Sequence, residues 1–123
     1  MITVKTSELT GRALDYAVAK ADGRTNVIIG NGGVMVFPVH PECGLYRDYD
    51  PSSSWVFCGD LIAKYWVELM VEEVDGVDYW HASPPHLIGD YATGNTPQEA
   101  ICRAVVMIEF GDTVKIPASL QES

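Results

Sequence analysis

Positive charge is what this chain has least of: eight Lys and Arg stand against seventeen Asp and Glu, a net charge of -9. A nucleic-acid binder needs a basic footprint to displace counterions from phosphate, and an anionic membrane surface attracts basic segments, so both partners are disfavoured. Cysteine is nearly as scarce. Cys43, Cys58 and Cys102 are odd in number and far apart, which argues against a disulfide framework and for a reduced, cytoplasmic protein. No apolar run approaches the length of a membrane span, and Met1-Ile2-Thr3-Val4-Lys5 carries no signal-peptide pattern. Histidine is limited to His40, His81 and His86. His40-x-x-Cys43 has a local ligand spacing, but no second pair follows at a zinc-site interval.

What is present is an ordinary globular composition, 47% hydrophobic and 20% charged over 123 residues, enough for one domain spanning 1–123 with a real core. Its acidity is uneven. From Tyr65 to Cys102 there is no Lys or Arg, while Glu68, Glu72, Glu73, Asp75, Asp78, Asp90 and Glu99 lie there. A face of one sign repels nucleic acid, imitates it, or attracts a basic protein. A solvated face that keeps the protein soluble is the plainer alternative.

The best-marked element is near the end. Thr96 is placed to cap a helix, Pro97 suits its first position, and Glu99 sits where a capping-box carboxylate reaches back. Ile101, Ala104, Val105 and Ile108 then form one apolar stripe, and Gly111-Asp112 closes the helix. An earlier helix is expected from Thr10, its cap, to Ala21, with Gly23 as the stop. Leu9, Ala13, Leu14, Ala17, Val18 and Ala21 form its buried side, leaving Arg12, Asp15 and Lys20 to water. Asn26 to Gly30 and Gly33 to Val39 read as strands about a type I′ turn at Asn31-Gly32. A loop is expected from His40 to Asp60, with Asp60 capping a short helical turn. Tyr65 to Val74 reads as a strand with Val67, Leu69 and Val71 on one face, although a helix over Asp60 to Val74 also fits the period. Asp75-Gly76 turns that strand into a partner from Val77 to Ala82. A last strand runs over Val114 to Ile116, before frayed closing residues.

Catalytic signals are weak. Gly30-Asn31-Gly32-Gly33 lacks the Lys-Ser/Thr of a phosphate loop. Asp48-x-Asp50 with Asp60 offers hard oxygens for a divalent ion, yet Asp50-Pro51-Ser52 is also an ordinary turn. Ser52, Ser53 and Ser54 sit in no nucleophile-elbow context, and no cysteine has a protease setting. The aromatics are more suggestive: Tyr46, Tyr49, Trp55, Trp66, Tyr79, Trp80 and Tyr91 exceed what a small core needs, and Tyr and Trp anchor interfaces.

Three segments together resemble a bacteriophage family, the NinX-like proteins. Lys5 to Lys20, with Gly11-Arg12-Ala13-Leu14-Asp15-Tyr16-Ala17-Val18-Ala19, is similar to its opening helix. Asp50-Pro51-Ser52-Ser53-Ser54-Trp55 is similar to a central Pro-Ser-x-x-Trp loop. Gly94 to Ala100 with Arg103-Ala104-Val105, then Gly111-Asp112-x-Val114-x-Ile116-Pro117, is similar to its closing helix and tail. Where such proteins continue with a Gly-Gly-Pro-like run and a Glu-Arg pair, this chain has Val56 to Lys64. The resemblance implies a phage or prophage protein in the host cytoplasm and carries no activity with it. Gly94-x-Thr96-Pro97-x-Glu99-Ala100 after a small sheet also resembles HicB-type antitoxin domains, which would imply neutralisation of a small basic toxin.

These readings set the expectations. The fold is α+β in two layers, an antiparallel sheet of about four strands with two helices on one face. The function is non-enzymatic binding of a host or phage protein, or of a second copy, through an acidic aromatic surface of Asp48, Tyr49, Trp55, Trp66 and Trp80. No catalytic residue, metal or cofactor is assigned. An antitoxin-type neutraliser is one alternative. A small metal-dependent hydrolase built on Asp48, Asp50, Asp60 and His81 is the other.

Overall fold

The computed structural model describes residues 1–40, 42, 44–87 and 90–121. The expected His40-x-x-Cys43 pair therefore lies partly outside the described residues, as do the closing Glu122 and Ser123. Among the described residues the chain forms eight strands and three α-helices. In order these are β1 (Ile2–Lys5), α1 (Gly11–Ala21), β2 (Ile28–Ile29), β3 (Met35–His40), β4 (Leu45–Asp48), α2 (Trp55–Tyr65), β5 (Glu68–Val74), β6 (Val77–Ser83), β7 (Ala92–Gly94), α3 (Pro97–Phe110) and β8 (Thr113–Ile116). The strands make three small antiparallel sheets, β1-β8, β2-β3-β4 and β5-β6-β7. The class is α+β. The single four-stranded sheet with two helices on one face is not what forms. Residues 55–65 coil into a third helix, and α3 packs on α1, α2, β6, β7 and β8.

α3 starts as its cap dictates. Thr96 Oγ1 accepts the Glu99 N–H at 3.1 Å, and Glu99 Oε1 reaches back to accept the Asn95 N–H at 3.2 Å, one residue before the cap. The apolar stripe was too narrow an expectation, because every residue from Ala100 to Val106 is buried. Gly94 must stay small for packing reasons: a Cβ there would lie 2.6 Å from the Ala100 nitrogen. α1 occupies the expected span, with Leu14, Ala17 and Val18 fully buried, though Thr10 makes no side-chain cap bond. It ends in a Schellman arrangement, Arg24 N–H to Ala19 O at 2.9 Å and Gly23 N–H to Lys20 O at 3.2 Å.

The two Gly-turn hairpins diverge. Asp75 and Gly76 both adopt positive φ, 54° and 80°, and Val74 pairs directly with Val77, so the two-residue turn forms as read. At Asn31-Gly32 it does not. Positive φ falls on Gly32 and Gly33 instead, Ile29 pairs with Met35, and the strands are joined by a wider turn closed by Gly30 N–H to Val34 O at 2.7 Å. A third glycine in the run offered the chain another residue that takes positive φ without steric cost.

The stretch from 40 to 67 also departs from expectation. β4 forms inside the expected loop, and α2 starts after Ser54, so Asp60 is mid-helix rather than a cap. Cys58 and Leu61 face the core, with Ile62 and Tyr65 beside them, a narrow i, i+3, i+4, i+7 stripe. Trp66 caps α2 in the left-handed region, φ 55° and ψ 48°, its N–H bonded to Ile62 O. β5 then begins at Glu68 rather than Tyr65.

Candidate functional site

The expected surface residues do not share one patch. Tyr49 is excluded outright: it is 1% exposed, ringed edge-on by Phe37 and Phe57 with the Arg24 guanidinium 4.9 Å above its ring, and burial pushes its phenol up. Asp48 lies at the exposed end of β4 and Trp55 in the first turn of α2. Trp66 is 74% exposed just past the far end of α2. Trp80 lies half-buried on β6, packed against the core. Nor does the structure gather Asp48, Asp50, Asp60 and His81. Asp50 is held in a turn, its carbonyl accepting the Ser53 and Ser54 N–H groups, and Asp60 faces solvent on α2. Among the described residues no three His, Cys, Asp or Glu side chains come together as metal ligands.

A different surface is assembled by the register of β5, β6 and β7. Directly paired residues share a face. Leu69 pairs with Ala82, Val71 with Trp80, and Ala82 with Ala92 on the face toward α3. Glu68, Met70, Glu72 and Val74 therefore fall on the opposite face with Ser83, His81, Tyr79 and Val77, and Thr93 and Tyr91 extend it on and beside β7. Nothing among the described residues covers that outer face. Met70, Val74, Val77, Tyr79 and Tyr91 are all substantially exposed there. His81 joins the parts: its Nε2 is 3.5 Å from Glu72 Oε2, and its ring lies 4.9 Å from that of Tyr91. Beside it opens a pocket of about 370 Å³ lined by Glu68, Met70, His81, Ser83, Asp90 and Tyr91.

The β5–β6 hairpin also runs beyond the body. From Met70 to Tyr79 every residue is exposed, whichever face it points to, including Val71 on the same face as Val67 and Leu69. Glu72, Glu73, Asp75 and Asp78 crowd this arm, and among the described residues only Glu72 lies beside a basic side chain, the His81 imidazole. A two-stranded ribbon with valines and tyrosine in water on both sides gains little from its own packing. Contiguous exposed apolar surface with a polar rim is how interaction sites are built.

Two charged residues that the sequence did not single out are structural. Asp15, expected in water, is 6% exposed; its Oδ1 accepts the Ser52 N–H at 2.9 Å, and burial raises its carboxyl to about 6. Arg103 donates to Leu9 O at 3.0 Å, Thr93 O at 2.9 Å and Glu99 Oε1 at 3.1 Å, tying the entrance to α1, β7 and α3 together. Cys58 and Cys102 are buried nearby; the Cys58 thiol donates to Pro51 O at 2.8 Å, and burial pushes the Cys102 thiol up. The readable signals were the odd polar residue within each apolar helix and the Glu99–Arg103 spacing of i, i+4.

The family model described as Bacteriophage P22, NinX matches residues 5–109 of this chain. The chain belongs to that bacteriophage family. No curated protein matches it. The segments that carry the family pattern meet in space: Asp15 of the first holds Ser52 of the second, and Arg103 of the third holds the carbonyl of Leu9. These bonds lie around α3, and the outer face of β5–β6–β7 lies apart from them. No helix among the described residues is long and apolar enough to cross a membrane.

Proposed function

We propose that this phage-family protein is a binding module whose partner is a basic protein of the host or the phage, engaged by the outer face of β5–β6–β7. The observation that carries the reading is the uncovered set of Met70, Val74, Val77, Tyr79 and Tyr91 within a stretch, residues 65–102, that holds seven carboxylates and no Lys or Arg. Tyr supplies contact area at low entropic cost, and the carboxylates steer and select a cationic partner. The same charge disfavours nucleic acid, anionic membrane and a second copy of this face. Trp55 on α2 and Trp66 just past its end stand outside the site.

The element order favours one special case. Three antiparallel strands followed directly by the capped helix α3 match the arrangement that suggested an antitoxin-type neutraliser, whose target would be a small basic toxin. The test is capture of the tagged protein from phage-infected cells beside a Met70→Ser, Tyr79→Ser, Tyr91→Ser variant. A stoichiometric basic partner that the variant loses supports the reading. Equal recovery by both proteins removes this face from consideration, and a partner that is an adjacently encoded toxin selects the special case.

A further inference from the structure

We propose that the partner is bound by strand addition: a basic extended segment pairs with the free edge of β5. This rests on the reading just given and specifies its geometry. β5 is an edge strand, since the sheet runs β5-β6-β7, and its seven residues pair with β6 without a register shift. Val74 and Val77 flank a two-residue turn, which makes them a hydrogen-bonded pair, and bonded and non-bonded pairs alternate from there. Leu69, Val71 and Glu73 consequently aim their N–H and C=O groups away from β6. Among the described residues no other backbone group takes them up.

Edges of this kind are normally protected by Pro, a bulge, Lys or a covering loop. β5 has no Pro, no Lys and no bulge, and at two and three residues β2 and β7 offer much shorter ladders. What it has is Glu68, Glu72 and Glu73. Two copies of β5 paired antiparallel about Val71 would bring Glu72 of each diagonally beside Glu68 and Glu72 of the other and gather six carboxylates on one short ladder, which opposes self-pairing. The same three favour a strand in which Lys or Arg alternates with apolar residues. Its cations would meet the glutamates while its apolar side chains extend the Met70–Val74 row or the Leu69–Val71 row. The edge is thus closed to its own copy and open to a basic segment.

The experiment uses the full chain and a short synthetic peptide alternating Lys with Val, beside the same peptide N-methylated on the alternate amides that would face β5. The expected result is binding of the first peptide, slowed amide exchange at Leu69, Val71 and Glu73, and affinity lower by about tenfold or more for the methylated peptide. Val71→Pro, which removes an outward N–H without touching the β6 ladder, should weaken the first peptide similarly. If the methylated peptide binds equally well while Met70→Ser with Tyr79→Ser abolishes binding, strand addition is wrong and the face reading stands. If neither lysine peptide binds, the basic-partner reading itself falls.

Discussion

The centre of this molecule and its β5–β6 arm treat charge in opposite ways. Around α3 the ionised groups are committed: Arg103 has three acceptors, and Asp15 is closed over a backbone amide. On the arm, glutamates and aspartates stand in water beside valines exposed on both faces. Buried charge is tolerated where it is fully paired, and its removal then leaves partners stranded. Exposed charge contributes little to folding and is free for recognition. The sharing of labour is therefore spatial, with committed charge in the body and available surface on the arm.

Substitutions should expose the contrast in order of size. Arg103→Met should be the most damaging, about 3–5 kcal/mol in denaturant unfolding, because Glu99 and two carbonyls lose their donor; a loss below about 1 kcal/mol would erase the distinction. Asp15 comes next through pH. Its carboxyl is raised from 3.8 to about 6 by burial, against the Ser52 hydrogen bond, so the folded state holds the proton more tightly than the unfolded one. Its contribution is fully present below 3.8 and lost as pH rises through about 6. Stability should accordingly rise by up to about 3 kcal/mol on acidification across that window, and Asp15→Asn should flatten the rise. Below it Asp22 acts in reverse. Burial pushes that carboxyl up, but bonds from Lys64 and Tyr65 outweigh it and hold it low, so acid removes its contribution.

On the arm the effects should be local and small. Gly76→Ala forces a side chain into positive φ at a cost of about 1–2 kcal/mol. Amide exchange should quicken within β5 and β6 while the unfolding midpoint of the whole chain barely moves; equal loss in both would mean that arm and body unfold as one. Glu72→Lys with Glu73→Lys should change stability by less than about 0.5 kcal/mol, read from the same melts, while abolishing binding of the Lys-Val peptide.

The sequence legible in advance was the part governed by local chemistry. Thr96, Pro97 and Glu99 specify a helix start through bonds within one turn, and Asp75-Gly76 specifies a hairpin through two backbone angles. Asn31-Gly32 has the same composition, but Gly33 gave the chain a competing solution. α2 was missed because Pro51, the three serines before Trp55 and Gly59 read as loop, while its helical stripe of Cys58, Leu61, Ile62 and Tyr65 becomes decisive only when α3 is there to cover it. The candidate site was half legible. Tyr79 and Tyr91 stood in the aromatic surplus and the carboxylates in the charge count, whereas Met70, Val74 and Val77 needed the pairing register to place them on an uncovered face. Tyr49 illustrates the converse, an aromatic chosen by type and claimed by the core.

The pairing of β1 with β8 sets how the protein meets mechanical load. Ile2 lies opposite Ile116 and Lys5 opposite Thr113, so the start of β1 and the end of β8 lie side by side. Tension applied at residues 2 and 116 acts across the ladder and opens its bonds in succession rather than shearing them together. Traction on these ends would peel the outermost pair first and reach the Thr6 bonds to Gly111 and Asp112 only afterward. A pulling machine that grips the chain past Ile116 must first draw the buried Leu120 from the core, and then meets this ladder one pair at a time.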